Sequence, residues 1–141
     1  MYIDKNLVVS GTRTDVGVWS GQNIQDTEVS DYSVDLGAAK NLSKGKQLYM
    51  VILIDTAFTH VTSVNFQVVT DTGPTLPDPT VQIETGAIAI ESLTLDRVPI
   101  VIPIGSALGT EERWLGMQYT VASASGSEVG TVIAFVAFDA P

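Results

Sequence analysis

The chain has 141 residues, 45% of them hydrophobic, with a mean hydropathy of +0.25; that is ample material for one core and too little length for two secure domains. Its 7 basic and 16 acidic residues give a net charge of −9 and a pI near 4.2, which repels phosphate backbones and anionic lipid, so neither nucleic acid nor a membrane is expected as a partner. With no cysteine and the single His60, disulfides, thiolate catalysis and cysteine or histidine metal clusters are excluded, and no cofactor or metal is expected.

The start, MYIDKNLVV, lacks the basic and long apolar regions of a secretion signal, and synthesis and folding in a cytoplasm are expected. No apolar run approaches the roughly 18 residues that span a bilayer. Residues 2–9 place Ile3, Leu7 and Val9 on one face and predict a first strand. Residues 10–31 then mix Gly11, Gly17 and Gly21 with polar types around Trp19, which predicts a long loop or extended arm, the kind of segment that is functional or ordered by a partner. Asp15, Asp26, Glu28, Asp31 and Asp35 fall in a stretch free of Lys and Arg, followed by Lys40, Lys44 and Lys46. This is either a solvated face or a docking surface for a basic partner.

Tyr32, Val34 and Leu36 alternate with polar residues as a half-buried strand ended by Gly37, and a helical turn is the reading at residues 38–40. Leu48 to Ile54 is apolar without a break and rich in β-branched types, predicting a strand covered on both faces. Val64, Phe66 and Val68 alternate with Asn65 and Gln67, and Asp71-Thr72-Gly73-Pro74 supplies turn chemistry. Val81 and Ile83 open a strand that Gly86 bends or bulges before it continues to Ile90. In VPIVIPI, Pro99 and Pro103 present their missing N–H groups to one side, which belongs at a sheet edge resistant to strand addition. Met117, Tyr119 and Val121 alternate, residues 123–128 make a turn, and Thr131 to Phe138 is apolar on both faces, hence a central strand. The expected fold is all-β, a single domain over 1–141: an antiparallel two-sheet β-sandwich of about eight strands, jelly-roll-like, with an immunoglobulin-like sandwich as the other topology.

Asp71-Thr72-Gly73 after a strand is how homodimeric aspartic proteases present a carboxylate that shares a proton with its symmetry mate. Pro74 follows where those enzymes need a tight hydrogen-bonded turn, so a plain hairpin turn is preferred and the protease kept as a third reading. His60 reads as a turn residue, and Asp96-Arg97 and Glu111-Glu112-Arg113 as salt-bridged loop ends. Trp114 is expected to cover the end of the core. Trp19, without local apolar company, is either an interface anchor or packed back on its own sandwich.

Asp31-Tyr32-Ser33-Val34-Asp35-Leu36-Gly37, Thr85-Gly86-Ala87-Ile88-Ala89, Arg113-Trp114-Leu115-Gly116-Met117-Gln118-Tyr119-Thr120-Val121 and Gly130-Thr131-Val132 leading to Phe138-Asp139 resemble the capsid cement or decoration proteins of short-tailed bacteriophages. Trp114 stands where that family usually has Tyr, and residues 10–31 match none of its features. The resemblance implies a jelly-roll structural protein, not an enzyme, on the outer capsid surface of a virion and made in the bacterial host cytoplasm. It implies that the protein bridges subunits of the major capsid protein and self-associates, with a dimer favoured. The partner-binding residues expected are Trp19, Asp15, Asp26, Glu28 and Asp31, and deleting residues 10–24 is expected to abolish capsid binding with the β fold intact. The alternative is a carbohydrate-binding jelly-roll module of a virion, with Trp19 as the sugar platform.

Overall fold

A computed structural model describes residues 4–13, 19–37, 47–104, 112–122 and 130–139. The readings at 38–46, including the helical turn and the three lysines, at 123–128 and at Asp15 lie outside the described residues. Among the described residues there are ten strands: β1 (Val8–Ser10), β2 (Gln22–Asn23), β3 (Glu28–Val29), β4 (Val34–Asp35), β5 (Leu48–Thr56), β6 (Ser63–Asp71), β7 (Thr80–Ala89), β8 (Ile100–Ile104), β9 (Trp114–Ala122) and β10 (Thr131–Ala137). All pairings are antiparallel.

One sheet has the order β1-β10-β5-β8, with β2 following β1 along the same edge of β10; the other has β3-β9-β6-β7, with β4 following β3 along β9. Counting each broken pair as a single line of strand, the eight lines alternate as 1-8-3-6 and 2-7-4-5, which is the jelly-roll arrangement of two Greek keys. The expected all-β, two-sheet jelly roll is therefore the observed fold. The immunoglobulin-like topology is not.

The main core lies between the sheets. Met50, Ile52, Phe66, Val68, Met117, Tyr119, Val132 and Ala134 contribute to it from strands of both sheets, all at 0% exposure. Burying each of the larger side chains contributes about 1.5–3 kcal/mol. Phe66 sits edge-to-face with Phe58 at 6.4 Å and with Tyr119 at 5.8 Å, geometries that add about 0.5–1.5 kcal/mol apiece. A second, smaller cluster of Val8, Val51, Ile133, Phe135 and Ala137 lies on the outer face of the first sheet. It explains why β5 and β10 read as unbroken apolar runs: one set of alternating residues faces the main core and the other faces this outer cluster.

The edges follow from local chemistry. β8 ends its sheet, with Pro103 in the strand and Pro99 just before it, as expected. β7 ends the other sheet, and its pairing with β6 slips at Gly86, whose φ of 75° only glycine adopts without strain; the expected bulge is there. The predicted first strand differs: Lys5–Leu7 form a 3₁₀ turn, capped by the Asp4 carboxylate that accepts Asn6 N–H at 2.9 Å, and among the described residues pairing begins at Val8. Of residues 32–36, only Val34–Asp35 pair, and Tyr32 is exposed. His60 is exposed in a turn at φ 62°.

The loop after β6 folds back over the outer face of its own sheet. Leu76, 2% exposed, lies over Gly116 so closely that a Cβ there would stand 2.5 Å from a Leu76 methyl. Asp71 holds this loop shut. Its Oδ1 accepts Gly73 N–H at 3.0 Å and the Thr72 hydroxyl at 3.3 Å, and its Oδ2 accepts Asp78 N–H at 2.7 Å. Burial pushes the carboxyl's pKa up, but these donors outweigh it and hold the group below the ordinary aspartate value. Both oxygens of the Asp-Thr-Gly carboxylate are thus occupied by its own loop. That is the geometry of a turn anchor.

Candidate partner-binding surface

The flank carrying the broken strands is where the chain crosses between sheets, and it collects most of the residues singled out from sequence. The described residues on either side of 14–18 meet in a closed neck between β1 and β2: Thr12 N–H donates to Ser20 O at 2.9 Å, and the two hydroxyls meet at 2.5 Å. Asp55 Oδ2 accepts Gly21 N–H at 2.9 Å and the Thr131 hydroxyl at 3.2 Å, pinning the return to β10. Trp19 is half-buried and packs on the outer apolar cluster. Of its two readings, the structure favours packing back on its own sandwich.

Past β2 the chain passes to the second sheet through buried polar residues. Gln22 Nε2 donates to Val29 O at 2.8 Å and its Oε1 accepts Asp31 N–H at 2.9 Å, so one amide ties β2 to the backbone around β3. Ser30 Oγ accepts Met117 N–H at 3.0 Å and donates to Tyr32 O at 2.8 Å. Ser10 shares a 2.5 Å hydrogen bond with the Tyr119 hydroxyl in the core. Burial drives that hydroxyl's pKa well above the ordinary tyrosine value, partly countered by Ser10. Ile24 is completely buried. The described part of 10–31 is therefore built into the sandwich, not a free arm, because a buried amide or hydroxyl with its bonds made replaces the apolar pattern that sequence reading looks for. A deletion of 10–24 would remove β2, the Gln22 tie and Ile24 together, so it would damage the fold it was meant to spare.

The acids sit on the outside of this crossing. Asp26 is exposed at the tip, where its Oδ1 accepts Thr27 N–H at 2.7 Å, and Glu28 Oε1 accepts Gln25 N–H at 2.8 Å, so residues 25–28 form a self-held turn. Asp31 is exposed, yet the crowding of neighbouring groups raises its pKa above the usual aspartate value, an effect opposed by the Gly11 N–H. The flank is less uniformly acidic than the sequence implies. Arg13 stacks 4.4 Å over the Tyr32 ring while donating to Val8 O and Ser33 O, and Arg113 forms a two-pronged pair with Asp35 at 2.6 and 2.7 Å. Arg113 therefore pairs across 78 residues, and its guanidinium lies 5.5 Å from the ring of Trp114, which is half-buried at the start of β9. Arg97 instead donates to Ser92 O at 2.9 Å. The long-range pairing of β4 with β9 is the signal that would have found the Asp35–Arg113 pair.

Asp26, Glu28 and Asp31 thus lie along one crossing, Trp19 packs on the outer cluster of the first sheet, and Asp15 lies outside the described residues. A half-open depression of about 400 Å³ lined by Asn23, Thr56, Ala57, Thr59, Gly130 and Thr131 adjoins the return to β10 and has no ionisable side chain in its lining. Among the described residues no group of three or more His, Cys, Asp and Glu could hold a metal ion, and no helix is long and apolar enough to cross a membrane. No curated protein matches the chain. A protein-family model described as Bbp16 matches residues 18–136.

Proposed function

The chain belongs to the Bbp16 family, a phage-associated family, and from that premise we propose that it is a structural protein of the virion that binds the outside of a phage capsid and bridges major capsid protein subunits, acting as an oligomer with a dimer favoured. The family match over 18–136 is the observation that carries the reading. The jelly roll and the charge of −9 support it: an acidic protein is disfavoured beside packaged nucleic acid and tolerated outside the shell. Binding to the assembled shell alone would stabilise that shell by mass action, with no chemical step.

The grip we assign is the acidic crossing. Asp26, Glu28 and Asp31 stand on a flank whose backbone is held rigidly by Gln22 and Ser30, so little conformational entropy is lost on docking to a basic capsid surface. The carbohydrate alternative uses Trp19 as a sugar platform, and the partial burial of that ring against the first sheet leaves less of it free for stacking. The test is cosedimentation of the purified protein with unexpanded and expanded capsids of a phage that encodes it. Stoichiometric pelleting with the shells is the expected result. Absence from the pellet of both would overturn the reading.

A further inference from the structure

We propose that the half-open cavity between the end of β10 and the 3₁₀ turn Lys5–Leu7 is a socket for an arginine side chain of a partner protein. It is a second contact site, separate from the acidic crossing, and it does not depend on the capsid reading.

The cavity has a volume of about 350 Å³ and is lined by Asp4, Leu7, Val136, Ala137, Phe138 and Asp139. Its place follows from the register of the first sheet. Val8 pairs with Phe135, so the turn preceding Val8 stands beside the residues that follow Phe135, whereas β2 pairs with Thr131 and Val132 at the other end of the strand. At the rise of an extended chain the two ends of β10 are roughly 20 Å apart.

The lining combines groups that a long cationic side chain uses together. Leu7, Val136 and Ala137 are apolar and match the methylene stem of such a side chain. Phe138 is 55% exposed although it belongs to the cavity wall, and the face of an aromatic ring attracts a cation. Asp4 and Asp139 supply carboxylates. Asp4 Oδ1 accepts Asn6 N–H at 2.9 Å, which fixes that side chain, while its Oδ2 and both oxygens of Asp139 have no hydrogen-bond or ion-pair partner among the described residues. No basic residue is in the described lining to offset the two charges.

Charge complementarity selects the occupant. An apolar group would leave both carboxylates without a partner, and an anion would be repelled by them and by the net charge of −9. Two acids are too few for a metal ion, and among the described residues no group of three or more ligands exists. The volume lies at the low end of the roughly 300–1,000 Å³ of ligand sites, room for one side chain with the rest of its protein outside. Of the two long cationic side chains, arginine fits better: its planar fork bonds carboxylates in pairs and stacks on aromatic rings, whereas lysine is a strongly hydrated point charge.

The experiment titrates the isotope-labelled full chain with the peptide acetyl-alanyl-arginyl-alanine amide and follows backbone amides by NMR, with matched lysine and citrulline peptides in parallel. The amides of Leu7, Ala137 and Phe138 should shift saturably with the arginine peptide, less with lysine, and not with citrulline, which has the same shape and no charge. Phe138→Ala/Asp139→Asn removes two exposed side chains, so the urea midpoint should hold while the peptide binds roughly tenfold more weakly. Asp26→Asn/Glu28→Gln/Asp31→Asn should bind the peptide as the wild type does. No saturable shift, an equal response to citrulline, or a response abolished by the changes at Asp26, Glu28 and Asp31 overturns the socket. Saturable binding by a protein that fails to pellet with capsids would instead overturn only the capsid reading.

Discussion

Asp71→Asn separates a turn anchor from any other role for the Asp-Thr-Gly sequence. The carboxylate serves two poles: Oδ1 faces Gly73 N–H and the Thr72 hydroxyl, and Oδ2 faces Asp78 N–H at 2.7 Å. An amide of the same shape has one oxygen, so one pole meets an NH₂ group donor to donor. Losing one charge-assisted bond and leaving a poorly hydrated N–H costs about 1.5–3 kcal/mol. Any loosening of the loop adds part of the roughly 1.5–3 kcal/mol of burial that Leu76 supplies over Gly116. The expected loss is about 2–4 kcal/mol, which at a urea slope of about 2 kcal/mol per molar lowers the unfolding midpoint by about 1–2 M. The sign with pH is fixed as well. The folded pKa of Asp71 lies below 3.8, so its contribution is fully present above the unfolded value and is lost as pH falls through the lower folded value. The gap between wild type and Asp71→Asn should therefore be constant at neutral pH and narrow as the solution is acidified below about pH 4. Urea titrations at several pH values measure both. A variant midpoint within about 0.3 M of wild type at pH 7, or a gap that widens in acid, would refute the anchor.

Gly116→Ala should cost about 1–3 kcal/mol by overpacking, since the new Cβ stands 2.5 Å from Leu76 and 2.8 Å from Ser30 Oγ, and Leu76→Ala in the same chain should recover part of it; a double-mutant cycle in urea reads the coupling. Tyr119→Phe should lose about 1–2 kcal/mol with the buried Ser10 bond. In the wild type the raised hydroxyl pKa keeps stability intact below about pH 10 and erodes it above, as the unfolded tyrosine ionises; an absorbance titration of the folded protein should leave that tyrosine un-ionised after exposed ones have titrated. Asp26→Asn/Glu28→Gln/Asp31→Asn should weaken pelleting with capsids several-fold and flatten its salt dependence while leaving the urea midpoint nearly unchanged; unaltered pelleting would remove the acidic crossing as the grip.

The parts of the fold legible in the sequence are those where side chains alone decide. β5 and β10 read as continuous apolar runs because the main core and the outer cluster cover opposite faces. β8 read as an edge because Pro103 cannot donate to a neighbour. Asp71-Thr72-Gly73-Pro74 read as a turn, and Asp71 makes the side-chain-to-backbone bonds that such a turn requires. What escaped is what long-range pairing supplies. Gln22, Ser30 and Ser10 are buried polar residues whose partners lie in other segments, so no local periodicity marks them as core. β1 to β4 are too short for an alternation to show, and residues 10–31 read as an arm for that reason. Trp19 was ambiguous because its apolar company, Val8 and Phe135 among it, comes from β1 and β10 and not from its neighbours in the chain. Arg113 read as a partner of its adjacent acids, while the register of β4 on β9 sets it beside Asp35.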